Sequence, residues 1–129
     1  MSEPAVARPA VATVHRLVVL ALPAIVLVQA TLAGQHLFEG ASISLHGILG
    51  NVTFALTALQ VGLVVARRTE AREFVLAVTL MALAFAQVGL GYVGRETAAA
   101  GAWHIPVGVA IFGVACYQLA GVRGAPRDR

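Results

Sequence analysis

LHGILGNVTFALTALQVGLVVA, Leu45 to Ala66, followed at once by Arg67-Arg68, decides what kind of molecule this is. The run reaches the roughly 20 residues that a helix needs to cross a bilayer core about 30 Å thick. Hydrocarbon offers no partner to an open backbone group, so a stretch of this length and composition must close its hydrogen bonds within itself as a helix. Three more runs of the same kind flank it, Leu17–Leu37, Phe74–Val93 and Trp103–Val122. The breaks between them are short and polar: Glu39-Gly40-Ala41-Ser42, Arg67-Arg68-Thr69-Glu70 and Gly94-Arg95-Glu96-Thr97. Short connections make consecutive helices antiparallel neighbours. The expectation is an all-α, integral membrane four-helix up-down-up-down bundle, one domain over residues 1–129, built of two hairpins at about 17–66 and 74–122.

Composition points the same way. Of 129 residues, 59% are hydrophobic and 12% charged, against about a quarter charged in a soluble domain; the mean hydropathy is +0.85. All nine basic residues are arginine, which, with so much Ala, Val and Gly, suggests a GC-rich bacterial source. Arg8, Arg16, Arg67, Arg68, Arg72, Arg123, Arg127 and Arg129 fall on one side of the predicted membrane and Arg95 alone on the other. By the positive-inside rule both termini face the cytoplasm, in a bacterial cytoplasmic (inner) membrane. The same asymmetry accounts for the pI near 10.0, so the lipid bilayer is the expected partner and no nucleic acid is. The single Cys116 excludes an internal disulfide.

Three motif matches are set aside on context. Thr31-Leu32-Ala33 resembles a signal-cleavage site, but the repeat described below argues against processing there. Gly89-Leu90-Gly91-Tyr92-Val93-Gly94 has dinucleotide-loop spacing yet closes a membrane helix instead of following a strand. Asn51-Val52-Thr53 has glycosylation spacing but lies inside the second span.

Sliding the chain on itself without gaps finds a repeat with a period of 58 residues. Gln29 falls on Gln87, His46 on His104, Gly50 on Gly108, Phe54 on Phe112 and Gln60 on Gln118. In each hairpin the histidine follows its glutamine by 17 residues and precedes its glycine by four. A unit of two spans inserts both copies the same way up, so the relating axis runs along the membrane normal.

His46 stands 21 residues before Arg67, about 31 Å along a helix, which puts it and His104 at the outer edge of the bilayer core. The pseudo-twofold axis can then bring the two rings face to face across the bundle. Gly50 and Gly108 lie one turn deeper on the same helix faces, leaving room for something flat, and Gln29 and Gln87 add polar groups from helices 1 and 3. A haem iron takes axial imidazoles from facing helices in this way. His46 and His104 open helices 2 and 4 at matching places, so the helix N-termini disfavour imidazolium and favour anionic propionates; Arg95, Ser42 and Ser44 are near enough to assist.

Gln29-Ala-Thr-Leu-Ala-Gly34 with His46-Gly-Ile-Leu-Gly50, and Gln87-Val-Gly-Leu-Gly91 with His104-Ile-Pro-Val-Gly108, resemble the hairpins of the haem A synthase family over about Leu17 to Val122. Members have two four-helix halves whose histidines open the second and fourth helices and ligate haem. His46 and His104 match the ligand positions. The chain departs from the family in having one bundle, no cysteine pair in the outer loops, and Ile43 and Gly101 where the catalytic half carries an acidic residue three before a histidine. The resemblance thus implies a haem-b-holding half and no synthase. The chain also resembles small four-helix bacterial membrane proteins of uncharacterised function.

The expected function is a membrane b-type haem-binding protein with bis-histidine ligation, His46 and His104 being the metal ligands, in electron transfer or as a haem-holding subunit of a larger membrane or redox complex. Two other classes stand beside it. One is a cofactor-free accessory subunit with structural histidines; the other is a quinone- or small-molecule-binding bundle resting on the symmetric glutamines. Taken singly, a boundary histidine is commonly interfacial, glutamines are interhelical hydrogen-bond glue, and Trp103 and Tyr92 are interface anchors. His15, beside Arg16, reads as interfacial, and His36, whose repeat mate is Gly94, as no axial ligand, though near enough to approach a propionate. No nucleophile–base pair, carboxylate dyad or phosphate loop is evident, so an independent enzyme is not expected.

Overall fold

The computed structural model describes residues 7–124, with side chains from Pro9 to Val122. Arg127 and Arg129, and the side chains of Arg8 and Arg123, lie outside that range. The chain forms α1 (Ala7–Glu39), α2 (Ser44–Arg67), α3 (Ala71–Val93) and α4 (Ala98–Gly124), each long and apolar enough to cross a membrane. The 23 residues of α3, the shortest, already give about 35 Å at 1.5 Å per residue.

The protein is an all-α membrane four-helix bundle. Each helix packs against its two neighbours, α1 with α2 and α4, α3 with α2 and α4. Neither diagonal pair brings backbones into close contact, so only side chains cross the centre. The interior is thin: Leu22 and Leu80, repeat mates, are fully buried with Val18 and Ala115 beside them, and Ala77 and Ala84 let backbones approach. Leu17, Leu27, Phe85, Trp103 and Val109 stand outward and exposed. On a water-soluble protein so many apolar side chains would form an aggregating patch, whereas here they make the lipid face.

Three loops show how the turns are stabilised. Gly40 at φ 70° ends α1, and its neighbour Ala41 donates its N–H to Gln35 O at 3.3 Å, the left-handed closure that glycine makes without steric cost. Arg68 does the same for α2 at φ 51°, with its N–H directed at Val64 O and Val65 O; a residue with a Cβ is strained there. At the third turn Gly94 is required by proximity, because a Cβ on it would lie 2.7 Å from Leu90 O and 3.1 Å from Gly101 Cα.

The helices run past the apolar runs that mark them, because hydropathy registers what lipid needs and helix formation continues into alanine-rich and polar flanks. One consequence corrects an expectation. His46 is in the first turn of α2, but α4 starts at Ala98, so His104 is the seventh residue of its helix. The helix-terminus field, which fades within one turn, therefore acts on His46 and not on His104.

Candidate functional site

His46 and His104 meet across the α2–α4 diagonal with ring centroids 5.9 Å apart and ring planes tilted by 55°. Each ring is held in the same way. His46 Nδ1 lies 2.9 Å from Gln29 O and His104 Nδ1 lies 3.0 Å from Gln87 O, so the 17-residue spacing is that of a side-chain-to-backbone hydrogen bond closing each hairpin. A carbonyl has no proton to give, so Nδ1–H donates in both rings and the lone pair is left on Nε2. Holding one ring nitrogen by a carbonyl, which sets tautomer and orientation, is how proteins prepare a histidine as a ligand.

The glycines and glutamines of the repeat act together. A Cβ on Gly108 would lie 3.0 Å from Gln87 Nε2 and one on Gly50 3.5 Å from Gln29 Oε1; each glycine makes the seat for its own hairpin's glutamine. Gln29 donates from Nε2 to Thr53 Oγ1 at 2.8 Å. The equivalent position in the second hairpin is Ile111, which cannot accept, and Gln87 Oε1 is buried without a partner. Gly91 matters more than its motif suggested, since a Cβ there would approach His104 Cε1 to 3.0 Å. The absence of a side chain on α3 is what lets that ring lie against it. Arg95 Nη2 lies 3.7 Å from a Cβ built on Gly47, the neighbour of His46, and Arg95 covers the Tyr92 ring at 5.5 Å.

Two imidazoles on one metal, with metal–nitrogen bonds of about 2 Å and ring centres roughly 1 Å behind each nitrogen, have centroids about 6 Å apart. The observed spacing fits one metal atom between the rings. Among the described residues no three His, Cys, Asp or Glu side chains converge as a metal site, and two protein ligands are fewer than a bare ion usually takes. Two are sufficient where the metal arrives with a macrocycle that supplies the rest of its ligands.

His36 and His15 have other surroundings. Exposed His36 donates from Nδ1 to Ala41 O at 2.7 Å and braces the α1–α2 loop. His15, level with the boundary residue Arg67, faces into the bundle: it is 3% exposed and its Nδ1 accepts from Arg67 Nη1 at 2.6 Å. Arg67 is 3.9 Å from Glu73 Oε2, and next to this cluster Gln60 donates to Gln118 Oε1 at 3.0 Å. Gln60 and Gln118 are again repeat mates on the α2–α4 diagonal. The repeat therefore places two matched pairs on the bundle axis, one of histidines and one of glutamines.

These features define a class: a multi-pass four-helix membrane protein of duplicated hairpins with an inward-facing histidine pair. No protein-family model matches the chain, and neither does any curated protein or solved structure.

Proposed function

We propose that the protein is a b-type haem-binding protein of the bacterial cytoplasmic membrane, in which His46 and His104 supply the two axial ligands. The observation that carries this reading is the matched pair of rings, each with Nδ1 donating to the carbonyl of a repeat-equivalent glutamine, with centroids 5.9 Å apart, a separation that admits one metal between them. The resemblance of both hairpins to the haem A synthase family supports it. Bound haem supplies one-electron chemistry. The chain's own residues hold the imidazoles as neutral ligands, and Arg95 beside His46 offers a cation to a propionate. Two histidine ligands would leave a haem iron no open position for oxygen or substrate, which supports electron transfer or haem holding within a larger redox complex as the role.

The arginine asymmetry supports an orientation with both termini in the cytoplasm and the histidine end outward. The test is an absorption spectrum of the detergent-purified protein: a red, low-spin spectrum is expected, and a colourless preparation after expression with adequate haem supply favours the cofactor-free accessory subunit instead. Orientation is read separately. A cysteine at Glu39 or Thr97 is expected to react with an impermeant thiol reagent on intact cells and one at Thr69 is not, and labelling at Thr69 alone would invert the topology.

A further inference from the structure

At the opposite end of the bundle from the histidine pair, the helices leave a cavity of about 60 Å³. All four contribute polar groups: His15 of α1, Gln60 of α2, Arg72 and Glu73 of α3, and Gln118 of α4. Three atoms of this group have no hydrogen-bond partner in the protein, His15 Nε2, Gln60 Oε1 and Glu73 Oε2; His15 and Gln60 are 3% and 1% exposed, while the Glu73 side chain is 42% exposed and its Oε2 lies 3.9 Å from Arg67. Leaving such atoms unpaired is costly, so the cavity is built for something that pairs with them.

Donor and acceptor roles identify the occupant. A guanidinium only donates, so the contact from Arg67 makes His15 Nδ1 an acceptor and leaves the ring proton on Nε2. The cavity is thus offered a donor by α1 and acceptor oxygens by α2 and α3. An anion would face those two oxygens, and a metal cation would face a ring N–H and the Arg72 guanidinium. A cavity of about 150 Å³ accommodates an aromatic ring, while each water needs about 10–15 Å³, so this one admits a few waters and no ring.

Of the charges around the cavity, the Glu73 carboxylate favours a proton and the Arg67 and Arg72 guanidiniums oppose one. His15 and Glu73 are 58 residues apart and occupy the same place in the repeat, one a base and the other an acid, with Arg67 within reach of both. We propose that this is a hydrated proton-binding site, in which water bridges His15 Nε2–H to Gln60 Oε1 and Glu73 Oε2 and one proton is taken up at His15 Nδ1. In that step a hydronium ion or buffer acid loses a proton, an N–H bond forms at Nδ1, and no other covalent bond changes. Two donors cannot share one contact, so Arg67 leaves Nδ1 and turns to the Glu73 carboxylate, already 3.9 Å from the same nitrogen. The charged groups facing His15 are Arg67 from α2 and Arg72 and Glu73 from α3; the described α4 wall of Gln118, Gly121 and Val122 is uncharged. The cavity water accepts from Nε2–H in both states and so solvates the imidazolium inside the bundle.

The test is nitrogen NMR on histidine-labelled protein in lipid nanodiscs, with His15 assigned by the loss of its signals in His15→Gln or, where that variant does not fold, by subtraction using variants of the other three histidines. At neutral pH, Nδ1 is expected to be unprotonated and Nε2–H to show magnetisation transfer with water. On acidification Nδ1 gains its proton, and in Glu73→Gln, which removes the alternative partner of Arg67, the midpoint falls by about one pH unit, tenfold in proton affinity. A protonated Nδ1 at neutral pH, an Nε2–H without contact to water, an Nδ1 still unprotonated near pH 4 (well below an ordinary imidazole), or a midpoint unmoved in Glu73→Gln would each overturn the proposal. Whether haem is bound is read independently from the absorption spectrum.

Discussion

The two ends of the bundle are built from the same repeat and put it to different uses. At one end the repeat mates are alike, His46 and His104, and meet on the α2–α4 diagonal with the same backbone hydrogen bond on each ring. At the other end the mates His15 and Glu73 differ, sit on α1 and α3, and share Arg67. Like mates on a twofold axis make a site for one object with two equal faces, such as a metal atom. Unlike mates make a polarised site, an acid and a base that divide one proton and one counter-cation between them. The glutamine pair Gln60–Gln118 shows what the axis does even to matched residues: one amide must donate and the other accept, so Gln60 Oε1 is left over.

The largest effect is expected where the comparison is sharpest. His46→Ala and His104→Ala should each strip most of the proposed haem, whereas His15→Ala and His36→Ala should leave most of it bound, as read by the ratio of haem absorbance to protein; full occupancy in either of the first two variants removes that residue from the ligand set. The wild-type ferrous protein should also bind carbon monoxide poorly, and rapid stoichiometric binding at neutral pH would point to gas sensing or catalysis at an open iron position.

Smaller effects test whether the axis pairs residues as the repeat implies. Gln60→Leu leaves Gln118 Oε1 buried without its donor and should lower stability by roughly 1–3 kcal/mol. Changing both glutamines to leucine should cost less than the sum of the two single changes, and strict additivity in unfolding measurements would deny the hydrogen bond. Thr53→Val makes the first hairpin resemble the second, where Ile111 stands, and should cost about 0.6–2 kcal/mol by releasing the Gln29 amide. The smallest expected effect is a gain: Arg68→Gly relieves roughly 1–2 kcal/mol of left-handed strain against about 0.4–1 kcal/mol for the looser unfolded chain, with a net loss indicating that the Arg68 side chain does more than tolerate its turn.

Much of this was legible in the sequence because it depends on quantities that a sequence carries. Span length, the 58-residue period and the 17-residue Gln-to-His step are spacings, and the structure turns the last of them into one hydrogen bond made twice. What escaped depends on helix phase and close approach. His15 beside Arg16 reads as interfacial until the rotation of α1 turns it inward to Arg67. Its repeat relation to Glu73 is invisible to a search for identical residues. Gly91 stands in a stretch with dinucleotide-loop spacing, and only the position of the His104 ring shows what it makes room for. The offset start of α4, which moves His104 into the second turn, is hidden because Ala98–Ala102 holds no large apolar side chain to mark it as part of the span.

Because the backbones of α2 and α4 do not touch and each hairpin contributes one histidine, a single hairpin paired with a copy of itself about the same axis would already assemble both rings. Two spans per unit give such copies the same insertion direction, so no inversion is needed. The present chain thus has the form of a fused dimer. Fusion lets the halves mutate separately, which a symmetric pair encoded by one gene cannot do, and a histidine facing a glutamate across the axis is a difference that only the fused form can inherit.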